Sequence, residues 1–234
     1  VEIMLLPNWW FFNLNRVSYW SRCVIVPLLI IFAKKPVVDL DDKYNIFELF
    51  KNDPLELENL DFFKKGQLLK NGFILLDKIL KIVEPILPKF IRNRAIKLAV
   101  IWLRDHSKGA GGLGAIFPAI SNAIVAYKLM NVDIDDVDLN RQIDAMENLV
   151  VEDLDETFYQ PCVSPIWDTC LAMSALSESG VPIDNSDLAK SVDWLMSKQV
   201  FADGDWSIHS GSLKPGGWAF QYENDKYPDV DDTG

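Results

Sequence analysis

The chain has 234 residues, 49% of them hydrophobic, 12% aromatic and 24% charged. That balance excludes a disordered tail, a collagen-like fibre and a small disulfide scaffold, and the length can bury a sizeable core in one large or two small domains. With 23 basic residues against 34 acidic, net −11, the chain is a poor candidate for wrapping nucleic acid, whose affinity comes from neutralising phosphates.

Four aromatic residues, Trp9, Trp10, Phe11 and Phe12, lead into a helical pattern expected from about Asn15 to Ala33. It contains the longest apolar run, Val24 to Ala33, ten residues interrupted by Pro27. A spanning helix needs about twenty, so no bilayer crossing is expected. The start has no basic region or small-residue cleavage site, so no secretory signal is expected. The chain opens on Val1 and stops at Gly234, which reads as a middle piece of something longer.

Residues 34–60 hold Pro36, Pro54 and seven acidic residues, the mark of a connecting stretch with one short helix near Ile46–Phe50. From Leu68 to Val83 the apolar positions Leu69, Phe73, Leu76, Leu80 and Val83 step by 4, 3, 4 and 3, a helix period ended by Pro85 and Pro88. Further helices are expected at about 90–105, 117–130, 139–150, 166–180 and 187–199. Val-rich alternating runs are almost absent. The predicted class is all-α.

Charge is unevenly spread. Residues 64–108 carry eleven Lys and Arg against Asp77, Glu84 and Asp105, net +8, and the rest of the chain is net −19. A basic amphipathic helix in an acidic protein suits a surface resting on an anionic membrane. The other reading, a core-facing stripe with a solvated basic back, stays open.

Lys190, Trp194, Gln199, Gly204 and Trp206 stand in KSVDWLMSKQVFADGDW, a helix followed by a tight turn that glycine permits and tryptophan covers. A helix stop and a repeated staple of a helical barrel both fit. A weaker, partial copy lies at Trp102–Leu113, and two copies do not make a repeat array. Cys23, Cys162 and Cys170 lack paired or metal-ligand spacing and read as reduced thiols. Gly111, Gly112 and Gly114 have no following Lys-Ser/Thr and no preceding strand, so close packing is expected rather than phosphate binding. His106 and His209 stand in unrelated contexts, and no GxSxG or Cys-His pattern supports nucleophilic catalysis.

The strongest chemical candidates are Asp229, Asp231 and Asp232 in YPDVDDTG. Three carboxyls within four positions cannot all ionise cheaply away from water, and repulsion with desolvation keeps one protonated as a usable acid. Asp229, Asp231, Thr233 and Gly234 also fit the first positions of a calcium loop, and DxDD clusters bind magnesium as well. Asp133, Asp135 and Asp136 match the same DxDD pattern, but no aromatic lies within five residues, and a solvated loop and helix start is expected there. The second cluster instead follows Trp218, Phe220, Tyr222 and Tyr227. Acid beside aromatic rings is the pairing needed to make a carbocation and hold it.

Together these segments resemble the squalene–hopene cyclases, the bacterial class II triterpene cyclases. The resemblance runs the whole length, through FNLNRVSYWSRCVIVPL (Phe12–Leu28), GLGAIFPA (Gly112–Ala119), QPCVSPIWDT (Gln160–Thr169), the QW-type motif ending at Trp206, and LKPGGWAFQYENDKYPDVDDT (Leu213–Thr233). DVDD separates squalene cyclases from oxidosqualene cyclases. The family's members are much longer, so the chain corresponds to a central portion.

The resemblance implies two α/α barrels of the terpenoid cyclase type around a large apolar cavity. Residues 1–162 would form part of the inserted barrel and residues 163–234 the start of the catalytic one. It further implies a monotopic protein on the cytoplasmic face of the bacterial inner membrane, squalene as substrate, no metal or cofactor, no nucleic-acid partner, and leaves a homodimer open. Asp231 matches the general acid, with Asp229 and Asp232 as its flanking carboxylates. Trp167, Trp20 and Phe220 match cavity aromatics that stabilise cations. Ile116, Phe117 and Pro118 align with a cavity segment. Phe117 stands where some members have Gln, and Cys162 where some have Ser, which puts the water network for final deprotonation in doubt.

The expected activity is proton-initiated polycyclisation of squalene to hopene or hopanol, an isomerase-type reaction of hopanoid biosynthesis. A diterpene or tetrahymanol-type class II cyclase and a non-catalytic α/α-barrel lipid-binding module are the alternatives. The 234 residues alone are expected to be inactive.

Overall fold

A computed structural model describes residues 1–39, 41, 44, 46–51, 66–221, 224, 226–229 and 233. The chain divides into two units, Val1–Lys35 with Asn93–Gly234, and Pro36–Arg92. The periodic segments become helices: α1 (Tyr19–Lys34), α2 (Leu68–Val83), α3 (Lys89–His106), α4 (Phe117–Leu129), α5 (Val137–Glu147), α6 (Pro165–Glu178) and α7 (Ser186–Ser197).

In the first unit α1 packs on α4, α4 on α5, and α6 on α7. The core takes Tyr19, Cys23, Val26 and Ile30 from α1, spaced 4, 3 and 4, together with Ala99 and Leu103 of α3 and Leu139 of α5. Against them α4 presents Ala119, Ala123 and Ala126 at the same helical spacing, and these small side chains let α1 and α4 approach closely. Burial pushes the Cys23 thiol up to about 12, so this cysteine is a packing residue rather than a nucleophile. All three cysteines are free.

Capping fixes the helix starts. The side chains of Ser18, Asp136, Ser164 and Asn185 accept from first-turn backbone N–H groups of α1, α5, α6 and α7. The expected start of α1 near Asn15 shifts to Tyr19, because Asn13 caps a separate 3-10 turn over Leu14–Arg16. The helix expected to reach residue 150 ends at Glu147, and the chain then forms an antiparallel hairpin, β1 (Val150–Glu152) with β2 (Thr157–Tyr159). The described residues are otherwise helices, turns and connecting segments.

The glycine segment is closely packed, as expected. Gly112 and Gly114 have φ near +67° and +66°, and a Cβ on Gly112 would lie 2.7 Å from that of Ala145. Gly204 has a different reason to be glycine. Its backbone is extended, with φ −147°, but a Cβ there would collide with the Lys226 backbone.

In the second unit α2 keeps the predicted range but buries none of its residues. Leu69, Phe73 and Leu80 are 77%, 63% and 55% exposed. No helix among the described residues is long and apolar enough to cross a membrane.

Candidate active site

Three stretches distant in sequence meet in the first unit. Ile116 pairs with Cys162 in an isolated antiparallel bridge, and Val163 N–H donates to the Ala115 carbonyl. Ser164, which caps α6 by accepting from Trp167 N–H at 3.1 Å, donates its hydroxyl to the Phe220 carbonyl at 2.8 Å. One hydroxyl therefore links the start of the Trp167 helix to the Phe220 backbone.

The expected cavity aromatics come together in part. Trp20 and Phe220 meet edge to face with centroids 4.6 Å apart. Phe117, at the start of α4 with Pro118, packs edge to face on Tyr159 at 5.3 Å. Trp167 is 41% exposed, and its backbone N–H is linked to the Phe220 carbonyl through Ser164. Beside these segments lies an apolar hollow of about 190 Å³, lined by Ala115, Ala145, Leu149, Val163, Pro165 and Gln221. It is smaller than the roughly 300 Å³ at the lower end of drug-sized sites.

Of the acidic cluster, Asp229 is described; Asp231, Asp232 and Gly234 lie outside the described residues, as does Tyr222. Asp229 N–H donates to the Trp218 carbonyl at 2.9 Å, and its carboxylate accepts from Phe220 N–H at 3.4 Å. Asp229 borders an open cleft of about 340 Å³ with Trp206, Leu213, Pro228 and Thr233. The other DxDD segment is a helix start, as expected. Asp136 caps α5 and pairs with Arg104 at 2.8 Å, and that guanidinium holds its carboxyl below the usual range against the opposing effect of burial. A carboxylate held ionised this way serves structure and is a poor proton donor.

The QW-type motif has its Trp206 indole N–H donating back to the Ala202 carbonyl of its own turn, and it makes further contacts beyond it. Gln199 donates its amide to the Gly216 carbonyl, and Val200 pairs with Gly217. Trp218, beyond the motif, donates its indole N–H to the Leu195 carbonyl at 2.7 Å. The motif thereby anchors the stretch that runs into Phe220. In the partial copy, Trp102 stacks on His106 with centroids 3.9 Å apart, and Leu113 is fully buried.

Sequence reasoning missed a buried ionic knot. Asp205, inside the motif's turn, accepts from Arg22 Nη1 at 2.7 Å and faces His106 Nε2 at 2.9 Å with the same oxygen. His106 Nδ1 lies 2.8 Å from the Trp102 carbonyl, so both ring nitrogens face oxygen atoms. Arg22 Nη1 also donates to Asn15. Its Nε and Nη2 have no hydrogen-bond partner among the described residues. Tyr19 and Tyr227 instead lie 5.8 and 5.2 Å from the guanidinium carbon. Residues 183 and 99 positions apart in sequence meet here, and no local pattern announces it.

Comparison with known proteins places the chain. Residues 1–155 match the model of the squalene-hopene cyclase N-terminal domain and residues 163–234 that of the C-terminal domain. The class is helical terpene cyclases, and the chain belongs to the squalene–hopene cyclase family. It is 38% identical over 238 residues to the squalene–hopene cyclase of Bradyrhizobium diazoefficiens and 39% identical over 242 residues to that of Zymomonas mobilis. A squalene–hopene cyclase of Schizosaccharomyces japonicus is 36% identical over 241 residues. Each alignment covers 100% of this chain, which spans 36%, 36% and 37% of those relatives.

The knot carries a pH signature. Burial raises the Asp205 carboxyl, but His106 and Arg22 outweigh it and hold it below its ordinary value. A depressed native value means stabilisation that is present above the unfolded value, about 3.9, and is lost as pH falls through the native one. Urea midpoints between pH 2 and 7 should fall below about pH 4 in the wild type. Asp205→Asn should be less stable at pH 7 and less pH-sensitive below 4; an unchanged acid limb would exclude Asp205 as a contributor.

Proposed function

We propose that this chain is part of a squalene–hopene cyclase that protonates the terminal alkene of squalene with Asp231 and guides polycyclisation to hopene or hopanol. The observation that carries the reading is family membership over the whole chain together with an intact DVDD. The Trp20–Phe220 pair and the Asp229 contact with Phe220, all next to that segment, support it.

The chemistry fits the residues. An unactivated alkene needs a strong, pre-positioned acid, and proton transfer from the Asp231 carboxyl leaves a tertiary cation on the substrate. Successive alkenes then attack in turn, and ring faces at Trp20, Phe220 and Trp167 stabilise the moving charge. Loss of a proton gives hopene; capture of water gives hopanol. Asp229 and Asp232 flank the acid, and Ile116, Phe117, Pro118 and Cys162 line the cavity wall in this reading. Residues 1–162 belong to the inserted barrel and 163–234 to the catalytic one.

The reading extends to the membrane. The apolar face of α2 is exposed in a segment of net positive charge, which suits a monotopic contact with anionic lipid and a route for a water-insoluble substrate.

In the full-length protein, Asp231→Asn should abolish squalene conversion with folding intact, because an amide cannot deliver the proton, and Asp133→Asn should retain near wild-type turnover. Gas chromatography of the products checks both, and loss of activity on the Asp133 change alone would assign the acid to the wrong DxDD. Replacing Leu76 and Leu80 by Asp should release the protein from vesicles containing anionic phospholipid. Unaltered co-sedimentation would remove α2 from the contact.

A further inference from the structure

The stretch from Trp218 to Asp229 leads directly into Asp231, and its described residues are fixed from several sides. Gln221, 5% exposed, spends its whole amide on the protein. Its Nε2 donates to the Gly112 carbonyl at 2.6 Å, and its Oε1 accepts from Gly114 N–H at 3.2 Å and from the Tyr19 hydroxyl at 3.1 Å. The Gln221 amide donates to a carbonyl and accepts from an N–H and an O–H at one point; an ionised Glu lacks the donor and Leu lacks both.

Six residues on, Tyr227 lies face to face with Tyr19, centroids 5.2 Å apart and planes 20° apart, with Arg22 over its ring. Between them Lys226 pairs with Asp105. That pairing, against burial and with help from Lys108, holds the Asp105 carboxyl down to about 2. Tyr19 thus serves both attachments: its hydroxyl meets Gln221 and its ring meets Tyr227.

We propose that Gln221 and Tyr227, both held by Tyr19 of α1, are positioning residues that set where the segment carrying the general acid stands relative to the cavity wall. The proposal rests on the cyclase reading above. Gly112 and Gly114 belong to the segment that continues into Ile116 and Phe117, so the Gln221 amide couples the acid's own stretch to the expected cavity wall. The acid must meet one alkene carbon at near-attack distance, and a misplacement of about 1 Å costs on the order of 100-fold in rate. An apolar substrate is bound by the cavity as a whole, so losing the attachment should lower kcat and spare KM.

The test uses the full-length protein in detergent with squalene, comparing Gln221→Leu, Tyr227→Leu, Tyr227→Phe and Tyr19→Phe, with circular dichroism and thermal unfolding on each. Gln221→Leu and Tyr227→Leu should lower kcat by about 10- to 100-fold with KM within about twofold. Tyr227→Phe should restore most of the lost kcat, since the ring makes the contacts. Tyr19→Phe keeps the ring stack and loses one bond to Gln221, and should lower kcat by a smaller factor than Gln221→Leu.

A folded Gln221→Leu with wild-type kcat, or with the loss confined to KM, would overturn the assignment. Should Gln221→Leu fail to fold, Tyr19→Phe decides, and an unchanged kcat there overturns it. A wild type that forms no cyclised product would overturn the cyclase reading and this assignment with it. An active wild type with indifferent variants would overturn the assignment alone.

Discussion

One carboxylate oxygen organises the first unit. Asp205 Oδ2 stands between the Arg22 guanidinium and the His106 imidazole, in a setting where Arg22 is fully buried and His106 is 7% exposed. Removing these groups from water is costly, and the knot is tolerable because geometry compensates: short contacts to the carboxylate, a backbone carbonyl at His106 Nδ1, and aromatic rings near the guanidinium. Arg22 comes from α1, His106 from the end of α3 and Asp205 from the turn after α7. The hydrophobic core holds α1, α3, α4 and α5 together, while the knot fixes where the chain returns 100 to 180 residues later.

That return leads toward the proposed acid. The turn bearing Asp205 also bears Gly204, whose missing side chain leaves room for the Lys226 backbone. The knot's Arg22 in turn covers Tyr227, two residues before Asp229. Charge pairing, a bare glycine and ring contact converge on the stretch preceding the proposed acid. The proposed alkene protonation would gain from such rigidity, because a reaction of that kind rewards placement more than affinity.

Much of the helical architecture was legible in the sequence because it depends on local period. The 4-3-4-3 spacing placed α2 at its full range, and the starts expected near residues 139, 166 and 187 fall within two residues of those of α5, α6 and α7. The hairpin at 150–159 was not legible, since three-residue strands carry too few positions to show alternation. The DxDD at Asp133–Asp136 was separable because it lacked aromatic neighbours, and Arg104 holds the Asp136 carboxyl below the usual range. Within the candidate site, Trp20 and Phe220, two of the aromatics the resemblance singled out, are in contact. The knot was invisible: a lone His, a lone Arg and one Asp in a common turn have no spacing rule. Gly204 was recognised as a turn glycine, but its clash with the Lys226 backbone, far away in sequence, was not legible.

The central claim is that Arg22 and Asp205 act as one unit tying α1 to the turn that precedes the acid segment. A double-mutant cycle with Arg22→Met and Asp205→Leu, read by urea unfolding at pH 7, measures it directly. The account predicts that each single change destabilises and that the double change costs less than their sum, by a coupling within about 0.5–3 kcal/mol. Strict additivity, with a coupling near zero, would contradict it.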